Sequence, residues 1–400
     1  MEPVKETISN LKLRASYGFT GNTEIGVYES LATLGTSNWI LGNQLVSGFF
    51  PNKIPNPDLK WERTGQFDIG LDLGLFNNRV RITTDYYKKK TTDLLYSVAV
   101  PATSGYQTML KNIGSIENQG YELSIESDNL TGPFSWTTAF NISFNRNKVL
   151  ELGGEDYKEM AEGDGHIKTG SVRRLIAGEP IGVFYGYRFD GIFQNEEECK
   201  QQTSSASPIG VGLRRYKDLN GDGKVDAAND REILGDANPK FFGGLTNTFA
   251  YKGFELNVFL QYSYGNKILN YNAMELENPT GGQNAYADMV NRWTPENPSN
   301  IYPKATTNRA ILASDRFIED GSYLKLKTLS LSYSFPKINM KHIQGLRLYV
   351  TGQNLLTWTK YRGYDPEVSY RGASTLEAGE DFGGYPQSRT FMFGVKLDIK

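Results

Sequence analysis

The residues with the clearest chemistry form one short acidic loop, Asp218–Asp230. Oxygen-bearing side chains stand at loop positions 1, 3, 5 and 9, a glycine stands at position 6, and a backbone carbonyl is available at position 7. Ca²⁺ takes six to eight oxygen ligands, and alternate positions of a tightly turned loop bring several of them to one point. The sequence therefore predicts a Ca²⁺ site with the ligands Asp218, Asn220, Asp222, the carbonyl of Lys224, Asp226 and Asp230.

The alternative for this loop is a turn held by hydrogen bonds of its own Asp and Asn side chains, without a metal. Position 12, where a calcium loop carries an acid, is Asn229, and Asp230 follows one place later. No pair of helical patterns flanks the loop, so a calcium sensor of the helix–loop–helix type is not expected. The expected role of the ion is to stiffen a long connection between strands.

Other patterns that could support catalysis are weak. The glycines of Phe242–Leu245 lack the Lys-Ser/Thr pair of a phosphate-binding loop, and no nucleophile–histidine motif is evident. Glu122 and Glu126 share one face of a predicted strand, which would suit the carboxylate pair of a glycoside hydrolase. Two acids on the wall of a polar channel are the preferred interpretation. We therefore expect no enzymatic activity, with a glycoside hydrolase as an alternative.

Strict alternation of apolar and polar residues predicts that long strands position these groups. In Phe134–Phe144 the even-numbered residues are mainly apolar and the odd-numbered ones are polar or small. In Tyr323–Phe335 the apolar parity slips near Lys327, which predicts a β-bulge. About ten long strands are expected, at Leu11–Gly18, Phe67–Leu75, Val80–Tyr86, Ile116–Ile125, Phe134–Phe144, Leu245–Tyr251, Phe254–Tyr264, Tyr323–Phe335, Leu346–Gly352 and Phe391–Ile399.

Composition supports many strands and excludes two classes of protein. Of the 400 residues 38% are hydrophobic, 12% are aromatic and 42 are glycine, which fits strands better than helices. The formal net charge is −2 without a block of like charges, so a nucleic-acid partner is not expected. The longest apolar run has four residues, at 310–313, whereas a membrane-spanning helix needs about 20.

The connections between the predicted strands alternate between tight and long, as in outer-membrane barrels. Asn77-Asn78 and Lys252-Gly253 are tight, whereas long connections run over about 19–63, 88–115, 147–240, 265–322 and 353–388. The strand-like segment Val183–Phe193 cannot be a single crossing, because the chain must cross an even number of times between the strand that ends at Phe144 and the strand Leu245–Tyr251. We therefore place 147–240, including the acidic loop, in one extracellular excursion and the C-terminus in the periplasm.

Several motifs together resemble the barrel region of the SusC/RagA family of TonB-linked outer-membrane transporters of Bacteroidetes. They lie in order along nearly the whole chain, at Ile54–Glu62 (IPNPDLKWE), Asp85–Tyr87 (DYY), Asn118–Glu122 (NQGYE), Gly352–Leu355 (GQNL), Gly363–Glu367 (GYDPE) and Tyr385–Arg389 (YPQSR). The resemblance implies an all-β fold, in which residues 1–400 form the C-terminal half of an antiparallel transmembrane barrel of about 22 strands.

The resemblance also implies a function and partners. The family imports oligosaccharides or peptides with energy from TonB, and a SusD-like surface lipoprotein closes the barrel from outside. Nothing in the sequence matches the plug domain, the TonB box or a signal peptide, so we expect the plug and signal peptide to be absent from this chain. The second alternative is a secreted, calcium-dependent carbohydrate-binding β-protein whose apolar strand faces form a core.

Overall fold

The computed structural model describes residues 7–399 except 24, 107, 161–169, 279–283, 308–310, 336–342, 368, 371, 373 and 375. Its main feature is one antiparallel sheet of ten long strands whose spatial order follows the chain order. The strands are β1 Ile8–Asn22, β2 Glu62–Leu75, β3 Val80–Ala99, β4 Thr108–Leu130, β5 Phe134–Leu152, β6 Phe241–Tyr251, β7 Phe254–Tyr264, β8 Tyr323–Ser334, β9 Ile343–Thr359 and β10 Thr390–Ile399.

These strands confirm the prediction of about ten long strands, and each predicted segment lies in one of them, apart from Phe335, which follows the end of β8. The predicted bulge is also present, because the register of β8 shifts between Leu326 and Thr328 against both of its neighbours. The expected long connection at 88–115 is wrong. β3 continues to Ala99 and β4 already begins at Thr108, because the backbones of the two strands stay paired beyond the segments with apolar alternation.

The register of the sheet separates two faces. One apolar row crosses nine neighbouring strands through paired positions at Leu11, Leu73, Ile82, Ile125, Phe140, Leu245, Leu260, Leu326 and Leu356. The row on the opposite face, one position away in each strand, consists of Lys12, Asp72, Thr83, Ser124, Asn141, Gly244, Gln261, Lys325 and Thr357. Successive side chains of a strand point to opposite faces, so the alternation in the sequence becomes one apolar and one polar surface.

Three of the long connections fold together into what we call the loop body. It comprises the described residues of 153–240, 265–322 and 360–389, and its core includes Phe184, Leu269, Tyr271, Met274 and Phe317, all 0% exposed. Val183–Tyr187 pairs with Arg231–Asp236 and not with any long strand, as the parity of the crossings predicted.

The remaining elements are short. Among the described residues, no helix is both long enough and apolar enough to cross a membrane. The short strands are Thr33–Leu41, Gln44–Lys53, Tyr157–Glu159, Arg174–Ile176, Val183–Tyr187, Phe189–Ile192, Thr203–Ser204, Arg214–Tyr216, Lys224–Val225, Arg231–Asp236, Lys267–Asn270, Ile318–Asp320 and Glu380–Asp381. The α-helices are Glu196–Lys200 and Tyr271–Leu276, and the 3₁₀ turns are Ala102–Ser104, Ala287–Asn291 and Asp315–Phe317.

Candidate functional site: the polar sheet face and the loop body

Charged side chains on the polar face of the sheet pair across neighbouring strands. Arg14 of β1 lies 3.0 Å from the Asp72 carboxylate of β2 and 2.8 Å from the Asp85 carboxylate of β3. Gly70 lies between Arg14 and Asp85 in the register, and a Cβ there would come within 2.2 Å of the Asp85 carboxylate. The glycine therefore allows an ion pair to cross over the central strand. Such a surface suits a water-filled channel.

Glu126, one of the two acids considered for hydrolysis, belongs to this channel surface. Its carboxylate lies 3.1 Å from the guanidinium of Arg81 on the neighbouring strand. The contact favours a structural role for Glu126 on the polar face.

A buried cluster of charges attaches the loop body to the sheet. Lys325 of β8 is only 1% exposed, and its Nζ donates to Asp365 at 2.6 Å and also to Glu367. Tyr323 and Lys327 of the same strand also donate to Glu367, at 3.1 and 3.0 Å. The described residues of 360–389 therefore fold back onto the polar face and are held there by a cation between two acids. We call these residues the Lys325 cluster.

The two acids of the Lys325 cluster are held in their charged form. Burial raises the pKa of Asp365, but hydrogen bonds from Lys325 and from backbone N–H groups outweigh it and leave the pKa below its ordinary value. The pKa of Glu367 is lowered in the same way, because donation from Lys325 and Lys327 outweighs burial. The Lys325 cluster therefore stabilises the fold only while both carboxyls are ionised.

We predict that acid detaches residues 360–389 from the sheet. Both folded-state pKa values lie below the unfolded values of about 4, so the stabilisation is complete above the unfolded values and is lost as pH falls through the folded ones. Hydrogen exchange of 360–389 should be constant between about pH 7 and 5, after correction for intrinsic rates, and should rise below about pH 4. Equal protection at pH 7 and pH 3 would contradict the prediction.

A second group of buried charges holds the loop body together. Glu277 is 1% exposed, and its carboxylate lies 2.7 Å from Arg316 and 2.6 Å from Arg362. The Arg173 guanidinium and the Glu380 carboxylate, both almost fully buried, lie 2.7 Å apart. This ion pair joins the connection 153–240 to the connection 360–389. Because these pairs are buried, removing one partner would leave an uncompensated charge, so they fix how the three connections pack.

The acidic loop folds as a tight turn held by its own side chains. The Asp218 carboxylate accepts the backbone N–H groups of Gly221 and Gly223 at 2.7 and 2.6 Å. Asp230 is 0% exposed and accepts the N–H groups of Leu219 and Asp226 at 2.8 and 2.7 Å, which joins the two ends of the loop. These contacts are the side-chain hydrogen bonds of the metal-free alternative.

The other predicted ligands lie in the same turn but do not converge. Asn220 Oδ1 accepts the N–H of Asp222 at 3.1 Å, and the Asp222 carboxylate accepts the N–H of Lys224 at 2.8 Å. Lys224 Nζ lies 3.0 Å from the Asp226 carboxylate, whose pKa it lowers. Within the described ranges no three His, Cys, Asp or Glu side chains are grouped closely enough to hold a metal ion. Calcium binding stays a prediction.

The Lys325 cluster could not be found from local patterns. Lys325 is one residue of an alternating strand, and Asp365 follows 40 residues later in a connection. The only available signal was the motif Gly363–Glu367 (GYDPE), which contributed to the family resemblance without a role for its acids.

The exposure of the apolar face decides between a soluble core and a membrane wall. Leu13, Phe391 and Phe393 of this face are 71%, 61% and 82% exposed. If the apolar faces formed the core of a secreted protein, these side chains would be buried, and the observed exposure does not agree with that. A meander of long antiparallel strands with an apolar outer and a charged inner face is instead the wall of an outer-membrane β-barrel.

Comparison with known proteins gives the family. The family model described as TonB dependent receptor-like, beta-barrel, matches residues 7–355, and the chain belongs to this family. It is 41% identical over 398 residues to TonB-dependent receptor P3 of Formosa agariphila, covering 98% of this chain and 39% of the relative. It is 30% identical to TonB-dependent receptor SusC of Bacteroides thetaiotaomicron, covering 98% of this chain and 38% of SusC.

A solved structure agrees with this assignment. The RagAB peptide transporter matches with a TM-score of 0.78 and 27% identity, over 98% of this chain and 41% of that chain. The present chain thus spans about two fifths of the length of the curated relatives that it matches. The resemblance to the SusC/RagA family is confirmed.

Proposed function

We propose that this chain supplies the C-terminal half of the barrel wall and the outer loops of a TonB-dependent importer of oligosaccharides or peptides. The observation that carries the proposal is the pair of faces of the ten-stranded sheet, one apolar and exposed, the other lined by paired charges. A polar inner surface passes hydrated solutes, and the apolar outer surface contacts lipid.

Partners and orientation follow from the same proposal. A SusD-like lipoprotein would cover the loop body from outside, and TonB would act through a plug domain supplied by the remainder of the protein. The loop body would lie outside the cell, and β10 would end in the periplasm. The support is that the described connections of the loop body all leave the same end of the sheet, whereas tight turns such as 252–253 lie at the other end.

Import is tested with the full-length protein in a Bacteroidetes host whose own copy is deleted. Uptake of labelled oligosaccharides and peptides should require the protein and should stop when the proton-motive force is dissipated. A control strain with an unrelated TonB-dependent receptor reports the background. Unchanged uptake after deletion, for every solute offered, would refute import of these two classes.

We predict that single cysteines distinguish the two faces. In a Cys199→Ser background of the full-length protein, Asn141→Cys should react with a charged, water-soluble maleimide, because Asn141 shares its row with Asp72 and Lys325. The matched control Phe140→Cys, one residue away on the apolar row, should react at least about tenfold more slowly, because lipid excludes the reagent. Equal labelling of the two cysteines in membranes would refute the assignment of faces.

We also propose that the acidic loop binds a structural Ca²⁺. Each oxygen of Asp218 accepts one N–H group, and a carboxylate oxygen has two lone pairs, so coordination by Asp218 is compatible with the turn. Asn220 and Asp222 would add side-chain oxygens, and Lys224 its carbonyl. The ammonium of Lys224 would have to leave Asp226 for this carboxylate to join.

We predict that Ca²⁺ slows proteolysis of the acidic loop in the full-length protein. At a free concentration of about 100 times the dissociation constant, cleavage through the unfolded loop should slow by roughly a hundredfold. Asp218→Ala should abolish this effect, whereas Asp190→Ala should retain it, because Asp190 lies outside the loop and pairs with Arg215. Identical cleavage with Ca²⁺ and with chelator would leave the metal-free turn as the correct description.

A further inference from the structure

The loop body contains a small cavity beside Arg214, a cation without an ion pair to any carboxylate of the described residues. The cavity measures about 130 Å³, several times the space that one water molecule needs. Its walls are mainly apolar, with Pro208, Leu213, Pro303 and Leu312 among the lining residues, and among the described residues Arg214 is the one charged side chain that lines it.

The hydrogen bonds of Arg214 go to neutral groups. Its guanidinium donates to the backbone carbonyl of Glu277 at 3.1 Å and approaches the Asn278 side-chain oxygen at 3.5 Å. Nε is buried and has no hydrogen-bond partner among the described residues. Arg214 is half-buried, and no described carboxylate forms an ion pair with it.

The nearest acids are already engaged by other arginines. The Glu277 carboxylate is held by Arg316 and Arg362, and Glu319 lies 2.8 Å from Arg362. Three guanidinium groups therefore share two carboxylates, and Arg214 is the one without a direct contact. Burial lowers the pKa of Arg214, and the nearby Arg316 lowers it too, which outweighs the opposite effects of Tyr216 and Glu277. A guanidinium nevertheless stays protonated in proteins, so the excess positive charge persists.

The wall of the cavity is built into the loop body and is not a chance gap between loops. Tyr216 and Leu312 of the wall, with Ala206, pack against Val225, which is 1% exposed and lies inside the acidic loop. The segment before the cavity also pairs with this loop, through Ser204 and Val225. The cavity therefore keeps its shape through contacts on two sides.

We propose that this cavity binds the C-terminal carboxylate of a peptide whose last residue is apolar, with Arg214 as the anion partner. A guanidinium fork matches the two oxygens of a carboxylate, and the apolar walls suit an aliphatic side chain next to it. An acidic sugar offers the same carboxylate but surrounds it with hydroxyl groups, and the apolar half of the lining, Ala206, Pro208, Leu213, Pro303 and Leu312, offers no side-chain partners for them. The assignment rests on the proposed import function and specifies the substrate class for it.

The test measures peptide binding to the purified full-length transporter in detergent. The probes are the tripeptide Ala-Ala-Leu with a free C-terminus, the same tripeptide with a C-terminal amide, and a disaccharide that ends in glucuronic acid. The free acid should bind about ten- to a hundredfold more tightly than the amide, the range expected for a hydrogen bond to a charged group. The disaccharide should bind more weakly than the free acid, and tighter binding of the disaccharide would overturn the peptide assignment.

Variants separate the role of Arg214 from general effects of charge. In Arg214→Gln the preference for acid over amide should fall to about one, whereas Arg215→Gln should retain it, because Arg215 already pairs with Asp190 and Glu198. If Arg214→Gln does not fold, Ser207→Leu, which fills the cavity and keeps the cation, should weaken binding of the free acid at least tenfold. A preference that is absent in the wild type, or unchanged in Arg214→Gln and Ser207→Leu, would refute the site. Neither TonB nor the lipoprotein takes part in this assay, so failure of the pocket is distinguishable from failure of import.

Discussion

Replacing Lys325 with methionine is expected to release residues 360–389 from the polar face of the sheet. Methionine keeps much of the volume of the side chain but leaves Asp365 and Glu367 without the cation that lies between them. Removing one partner of a buried ion pair costs about 3–5 kcal/mol, because the remaining charge is buried without compensation. Amide exchange of 360–389 in the full-length protein should therefore accelerate at least about a hundredfold.

Lys327→Met is the matched control for this substitution. Lys327 lies on the same strand and donates to the same Glu367, at 3.0 Å, but its side chain is 27% exposed and it has no described contact with Asp365. Its loss should cost about 1 kcal/mol or less. If Lys325→Met and Lys327→Met accelerate exchange equally, or if neither does, the buried cluster does not hold the loop.

The sheet could be predicted from the sequence because its physical cause is local. A strand with lipid on one side and water on the other must alternate apolar and polar residues along its length, and this pattern is visible within about ten residues. Phe140 and Asn141 were thus assigned to opposite faces before any strand was paired. The bulge at Lys327 was visible for the same reason, since an extra residue reverses the parity.

The loop body could not be predicted in this way because its contacts join distant parts of the chain. Arg173 meets Glu380 across 207 residues, and Arg214 and Arg362 approach Glu277 from separate connections. Neither a period nor a spacing encodes such pairs. The acidic loop lies between these cases, because its turn follows from a local pattern of Asp, Asn and Gly, whereas its affinity for Ca²⁺ depends on how the oxygens are finally arranged.

The largest effect is expected for the chain on its own, which should not form a stable pore. Among the described residues β1 pairs only with β2 and β10 pairs only with β9, so the sheet has two open edges. A crossing of about ten residues leaves roughly ten backbone groups unpaired along each edge, and each costs several kcal/mol in lipid. The total far exceeds the 5–15 kcal/mol by which folded proteins are usually stable.

The measurement is the conductance of planar bilayers exposed to residues 1–400, refolded from denaturant in detergent. Bilayers with this chain alone should show no discrete channel. In a second measurement, the full-length protein should resist denaturation in unheated gels, because closure of its sheet pairs both edges. Supplying the remaining strands as a separate fragment should restore that resistance, since β1 and β10 would then find partners. A reproducible single-channel conductance from residues 1–400 alone would mean that ten strands can close among themselves, and the assignment of this chain to half of a barrel wall would have to be abandoned.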